Sequence, residues 1–323
     1  MENIINQIKL KLNRIIKYRV VFDVDDVLCC SPISFSHHID KKEEIAFHEN
    51  ITKFPQAVVI EWQHNKSPYI HFFFPDLDKL ILTILTWENW SVDFFSSGVK
   101  ERNEEVIPIL LKKLIAKHSN NPDADYELIV NSGRCRIFSR DHMVNAEALY
   151  SDYKLTGYEL FGNRKKDLKA VSDDIDNTVL VDDDRTYVTG DQYPFICTSY
   201  QASLGFASYL KTGSEYYRKL FDPVQNAYYI LGIVLACKKK LDAKEALSLR
   251  SALDLVLRHK GKTAQTDEDR SSRPEATPWY LHPATELETD RDDNVVNPVF
   301  LSLMQSWIQD AKEYWSKNFV DSQ

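Results

Sequence analysis

The sequence predicts an α/β fold, a parallel sheet covered by helices, with a small β-hairpin insertion and a helical C-terminal domain. Three observations predict it. The runs 18–24, 91–95 and 178–181 are short and mostly apolar without polar alternation, as strands buried on both faces are. Segments of helical period lie between them, which is the element order of a parallel sheet. After about residue 200 strand signals stop and helical periodicity takes over.

The elements follow in order. Residues 3–17 repeat Ile4, Ile5, Ile8, Leu12, Ile15 and Ile16 at helical spacing, with Lys9, Lys11, Arg14 and Lys17 elsewhere. YRVVFDV (18–24) reads as a buried strand. QAVVIEW (56–62) and YIHFFF (69–74) flank HNKSP, which predicts a hairpin. Behind Pro75, residues 76–87 carry Leu77, Leu80, Ile81, Ile84 and Leu85, a helix. SVDFF (91–95) is a second buried strand, followed by a helix from about 100 to 118. YELIVN (126–131) and CRIFS (135–139) read as strands, 165–172 as a short basic helix, TVLV (178–181) as a third buried strand and YPFICTS (193–199) as the last. Helix follows to about 260, then a charged stretch with four prolines (261–298) and a final helix from about 299 to 318. The chain divides into an N-terminal helix (1–17), an α/β domain (18–199) and a helical domain (200–323).

Composition narrows the function. The 323 residues carry a net charge of −8, which disfavours nucleic acid as a partner. Nine glycines include no G-x-G, so a dinucleotide fingerprint and a P-loop are both absent. Five cysteines form no CxxC pair, and adjacent Cys29 and Cys30 would bridge only with strain. They read as reduced, buried thiols of a reducing compartment. The N-terminus lacks an apolar signal-peptide core, and the run 228–237 is far short of the roughly 20 residues a membrane span needs. The expectation is a soluble protein, at most peripheral to a membrane.

In open α/β sheets ligands bind beyond the carboxyl ends of the strands. Here the first buried strand delivers Asp23 and Asp25, the second Ser96, and the third Asp182 and Asp183. Acids gathered at adjacent strand ends repel one another unless a cation compensates them. Oxygen donors without a nearby Cys or His pair suit Mg²⁺. A divalent cation, a carboxylate nucleophile, a hydroxyl and an ammonium are the parts of a phosphoryl-transfer site. Lys165, Lys166 and Lys169, just before the third strand, can each supply the ammonium.

The chain resembles haloacid-dehalogenase-type (HAD) phosphatases in four motifs. VVFDVDDVL matches the first, FFSSG the second, and NRKKDLKAVSDDIDNTVLVDD the third and fourth. The last is most similar to the small phosphatases acting on the RNA polymerase II C-terminal tail, which also carry a hairpin, a Pro and a helix between motifs one and two. The resemblance implies Asp23 as the nucleophile that forms an aspartyl-phosphate and Asp25 as acid/base. It implies Ser96 and Lys166 as phosphate contacts, and Mg²⁺ held by Asp23, the Asp25 carbonyl, Asp182 and Asp183. Motif one ends Val27-Leu28-Cys29-Cys30 where D-G-T-L is usual, and Phe74 stands where an Arg often precedes the Pro.

The overall layout is similar to HAD phosphotyrosine phosphatases that intracellular bacterial pathogens secrete into host cells. That implies a phosphorylated host protein as substrate, with phosphotyrosine favoured. Phe35, Tyr69 and Phe74 are aromatic candidates for stacking on its ring. Alternatives are a phosphoserine/phosphothreonine or small-metabolite phosphatase, and an inactive HAD-fold binding module. Between 238 and 262 eight Lys/Arg face three acids. Beside the aromatic final helix (Phe300, Trp307, Tyr314, Trp315), this segment is expected to hold a phosphoinositide-bearing membrane.

Overall fold

The computed structural model describes residues 3–34, 41–64, 67–145, 164–183, 195–198, 200–215, 225–257 and 298–319. Helix α1 (Ile4–Lys9) is capped by the Asn3 side chain and buries Ile4, Ile5 and Ile8. It stops well short of residue 17: Leu12 still packs against the core, but Ile15 is 87 % exposed. Then come β1 (Tyr18–Phe22), β2 (Cys29–Ser34), α2 (Lys41–Ile51), β3 (Val58–His64), β4 (Ser67–Phe73) and α3 (Leu77–Thr86). β5 (Trp90–Phe95), α4 (Lys100–Ala116), α5 (Pro122–Asn131), β6 (Cys135–Phe138), β7 (Val144–Asn145), β8 (Arg164–Lys165), β9 (Thr178–Asp182) and β10 (Phe195–Cys197) follow. The chain closes with α6 (Tyr200–Thr212), α7 (Asn226–Asp242), α8 (Leu249–Leu257) and α9 (Pro298–Asn318).

Two expectations fail here. YELIVN is helical, not extended. Pro122 opens α5, Asp123 and Asp125 sit in its first turn, and Tyr126 and Ile129 face inward one turn apart while Leu128 is half-exposed. The segment 165–172 is not one basic helix. Lys165 pairs with Val144 in the β7–β8 ladder, and only Leu168–Ala170 form a short 3-10 turn, capped by Asp167. The expected hairpin is present and larger than read: β2 joins it, giving a three-stranded antiparallel sheet in the order β2-β4-β3.

The main sheet has the order β10-β9-β1-β5-β6, and every pairing in it is parallel. Alternate residues of the apolar strands therefore serve two apolar layers. Val20, Phe22, Val92, Phe94, Val179 and Val181 belong to the large core under α3 and α7. Val21, Phe95, Phe138 and Leu180 form a smaller cluster with Leu168 and Val171. Asp93 interrupts β5 on that second face and is fully buried between Arg19 and Arg136. Arg136 also donates to the Val171 carbonyl (2.8 Å), which ties the segment after Lys166 to the sheet.

The helices beyond residue 200 extend the same core. Phe206 of α6 meets Phe54 and Phe74, and the Asn50 amide donates to the Leu210 carbonyl. α7 is buried nearly all round, against α3, α8 and α9. Its Gly232 permits a close approach of α9, since a Cβ there would lie 2.1 Å from the Trp307 carbonyl oxygen. The Asn226 side chain reaches back to donate to the Val27 carbonyl at 2.9 Å, beside the first motif. Cys29, Cys30, Cys135 and Cys237 are free, buried thiols. Among the described residues no helix is long and apolar enough to cross a membrane.

Candidate active site

Parallel strands release their carboxyl ends along one edge, and the candidate residues meet there. Asp23 directly follows β1 and donates its N–H to the Val181 carbonyl (2.9 Å). Asp182 is the last residue of β9, and Ser96 directly follows β5, its N–H on the Phe138 carbonyl at 3.1 Å. One carboxylate oxygen each of Asp23, Asp182 and Asp183 lie within 4.8 Å of one another. The Lys166 ammonium enters this group, 2.6 Å from Asp182 Oδ2 and 2.9 Å from Asp23 Oδ1. Its side chain is fully buried, whereas Lys169 is exposed and Lys165 half-buried on β8. Leu168 and Val171, anchored in the smaller cluster, and the Asp167 cap fix the backbone that aims Lys166 inward.

Among the described residues negative charge is in excess at this site. Burial pushes Asp23 up to about 7, Asp182 and Asp25 add to this, and Lys166 opposes it. Asp183 is pushed up to about 9 by burial and by Asp182, Asp23 and Asp26. Burial opposes the charge on Lys166, but Asp182 and Asp23 outweigh it and raise its pKa. Among the described residues one ammonium thus faces three carboxylates, and Asp23 Oδ1 is buried with no aligned hydrogen-bond donor there despite its closeness to Lys166. An all-oxygen donor set with excess negative charge fits Mg²⁺.

Asp25 stands apart from that group. Its two oxygens each accept from Arg102 Nη1 at 2.8 Å, and Oδ2 also accepts from Ser96 Oγ at 3.3 Å. Arg102 Nη2 donates to Ser96 Oγ (2.6 Å), and Asn103 Oδ1 fixes the other side of the guanidinium. Ser96 Oγ further accepts from the Gly98 N–H at 3.0 Å, so the second motif folds around the hydroxyl. Arg102 is the residue that sequence reasoning missed. A cation in the first turn of a helix opposes the helix dipole, and that mismatch was the available signal.

The ring-stacking candidates fare differently. Phe74 is fully buried against Phe206, Tyr69 is half-buried beside Trp62, and Phe35 lies outside the described residues. Phe74 is therefore core, not a substrate platform. In the final helix Trp307 and Trp315 face inward, with Trp307 beside Tyr229 and Trp315 beside His118, so they are not a membrane-facing stripe. The Phe300 side chain lies outside the description. Lys238, Lys239, Lys240 and Arg250 each contact an acid: Asp242, Asp310, Glu245 and Asp176. Arg258, Lys260 and Lys262 lie outside the described residues.

No family model matches the chain, and no curated protein matches it. Among solved structures it is similar to the fission yeast RNA polymerase II CTD phosphatase Fcp1 bound to beryllium fluoride. The identity is 13 %, the TM-score 0.37, and the match covers 97 % of this chain and 65 % of that one. A second structure, of Fcp1 as an essential RNA polymerase II CTD phosphatase, is 13 % identical with a TM-score of 0.32, covering 96 % of this chain and 65 % of that one. The chain thus spans less than two thirds of the length of either.

Proposed function

We propose that the chain is a Mg²⁺-dependent HAD-type phosphoprotein phosphatase acting through an aspartyl-phosphate on Asp23. The observation that carries this reading is the buried Asp23–Lys166–Asp182–Asp183 group at the carboxyl edge of the parallel sheet, next to Ser96. The Asp23 carboxylate attacks phosphorus and the bond to the leaving oxygen breaks. Asp25 protonates that oxygen, then takes a proton from the water that hydrolyses the aspartyl-phosphate. Lys166 and Ser96 hold the phosphoryl oxygens. Asp23, Asp182, Asp183 and the Asp25 carbonyl would hold Mg²⁺, which would supply charge neutralisation of the phosphoryl group. For Asp25 to carry a proton, Arg102 must give up part of its clamp, and the incoming phosphate is the anion that draws it away.

An aryl phosphate should be hydrolysed with Mg²⁺ and not with EDTA, with restoration when Mg²⁺ is added back. Absence of turnover across divalent metals would overturn this proposal. The Arg102 clamp on Asp25 and Ser96 favours the second reading, a phosphate-binding module without turnover.

Phosphotyrosine as substrate, secretion into a host cell and membrane targeting through 200–323 belong to the same proposal and are supported by the family resemblance. For the membrane, exposed ion pairs of Lys238, Lys239 and Lys240 are weak enough to exchange for lipid phosphates. The full chain should co-sediment with phosphoinositide-bearing liposomes and not with neutral ones. Equal recovery on both would remove the targeting role.

A further inference from the structure

We propose that Asp25, Cys29 and His71 form a second metal site, one that takes Zn²⁺ or Co²⁺ rather than Mg²⁺ and, when filled, withdraws Asp25 from the reaction. The inhibitory half rests on the phosphatase reading; the binding half does not. The turn after β1 builds the site. Cys29 N–H donates to the Val24 carbonyl (3.1 Å), Asp26 N–H donates to the Cys29 carbonyl (2.8 Å), and Asp26 takes a left-handed φ of 62°. This folds Cys29 back onto Asp25, with which it forms an isolated bridge. Strand β2 then pairs with β4, Cys29 opposite Phe73, which makes Cys29 and His71 diagonal neighbours on one face. One Asp25 oxygen, the Cys29 sulfur and one His71 ring nitrogen lie within 4.8 Å of one another.

A second observation points to a ligand. His71 is fully buried, and among the described residues neither of its ring nitrogens has a hydrogen-bond partner. Leaving such a group unpaired costs about 1–3 kcal/mol, and a bound ion or water is the usual remedy. The Cys29 sulfur has only a 3.5 Å contact to the Val24 carbonyl to lose. Asp25 Oδ2 accepts from both Arg102 and Ser96, but among the described residues Oδ1 accepts from Arg102 alone, leaving that oxygen a lone pair. Imidazole and thiolate select Zn²⁺ or Co²⁺ over Mg²⁺, which keeps to the all-oxygen group of Asp23, Asp182 and Asp183. On binding, the Cys29 thiol proton leaves to the buffer and the sulfur bonds the ion as thiolate.

The test titrates Co²⁺ into the full chain with Mg²⁺ in excess and records the near-ultraviolet thiolate-to-cobalt charge-transfer band. The band should saturate at a single equivalent and disappear as Zn²⁺ replaces Co²⁺. Zn²⁺ should also lower the aryl phosphatase rate at least tenfold, without relief by further Mg²⁺. Cys29→Ser and His71→Gln, both close in shape to the native side chains, should lose the band. Each should need at least tenfold more Zn²⁺ for inhibition. Unfolding midpoints near the wild type confirm that each variant is folded. A wild type without the band, or variants that titrate like the wild type, overturn the site. Failure of Mg²⁺-dependent turnover overturns the phosphatase reading instead, and the cobalt band still decides the site.

Discussion

Asp23→Asn is expected to lower kcat on aryl phosphates by about 10⁴-fold or more, the order seen when a covalent nucleophile is removed. The amide cannot form the aspartyl-phosphate, while Lys166, Ser96 and Asp25 remain in place. The same variant also carries a stability signature of the burial of Asp23. In the folded, metal-free protein burial lifts Asp23 to about 7, above its unfolded value near 3.8. Between those pH values the folded state binds more protons than the unfolded state, so this group makes the protein less stable as pH rises. Metal-free Asp23→Asn should therefore lose less stability than the wild type between pH 5 and 8. Urea unfolding at several pH values, beside single-turnover kinetics, measures both effects. Retention of more than a few per cent of wild-type kcat would sink the nucleophile assignment.

Lys166→Met should give the largest loss of stability. Its ammonium lies fully buried between Asp23 and Asp182, both buried, with the half-buried Asp183 beside them. Removing one partner of a buried charge group typically costs about 3–5 kcal/mol, because the remaining charge is left uncompensated. Without Lys166, which lowers both, Asp23 and Asp183 shift further up, so the variant binds protons on folding. Its deficit should be greatest at pH 8 and shrink toward pH 5, where Asp23 and Asp183 are protonated. Mg²⁺ should restore part of the stability by supplying the missing positive charge. Activity with saturating Mg²⁺ should still fall about 10²–10³-fold, the usual effect of losing one charge-stabilising donor. An unfolding midpoint equal to the wild type at pH 8 would show that Lys166 does not compensate these acids.

The sheet strands were legible because each apolar run is set by burial on both faces, a property visible in consecutive residues. The helices over 77–86, 100–116 and 298–318 were legible for the matching reason, a helical period of apolar positions. YELIVN was misread because six residues cannot separate a strand from one buried helical face. Asn121-Pro122 and the acids after it were the better signal. The basic stretch at 165–172 was misread because Leu168 and Val171 pack at the spacing of a tight turn, not as a helix stripe.

The candidate acids and Ser96 could be placed from sequence because a parallel sheet brings every strand's carboxyl end to one edge. Among the lysines, motif likeness pointed to Lys166, and the fold buries that one between Asp23 and Asp182. Contacts between distant segments were invisible. Arg102 reaches Asp25 across 77 positions, and His71 reaches Cys29 only because β2 pairs with β4. Sequence by itself determined which residues alternate, which runs are buried and which acids end strands, all matters of near neighbours. Only the tertiary structure decided which charges meet, because a buried pair forms wherever packing excludes water, however far apart its members lie along the chain.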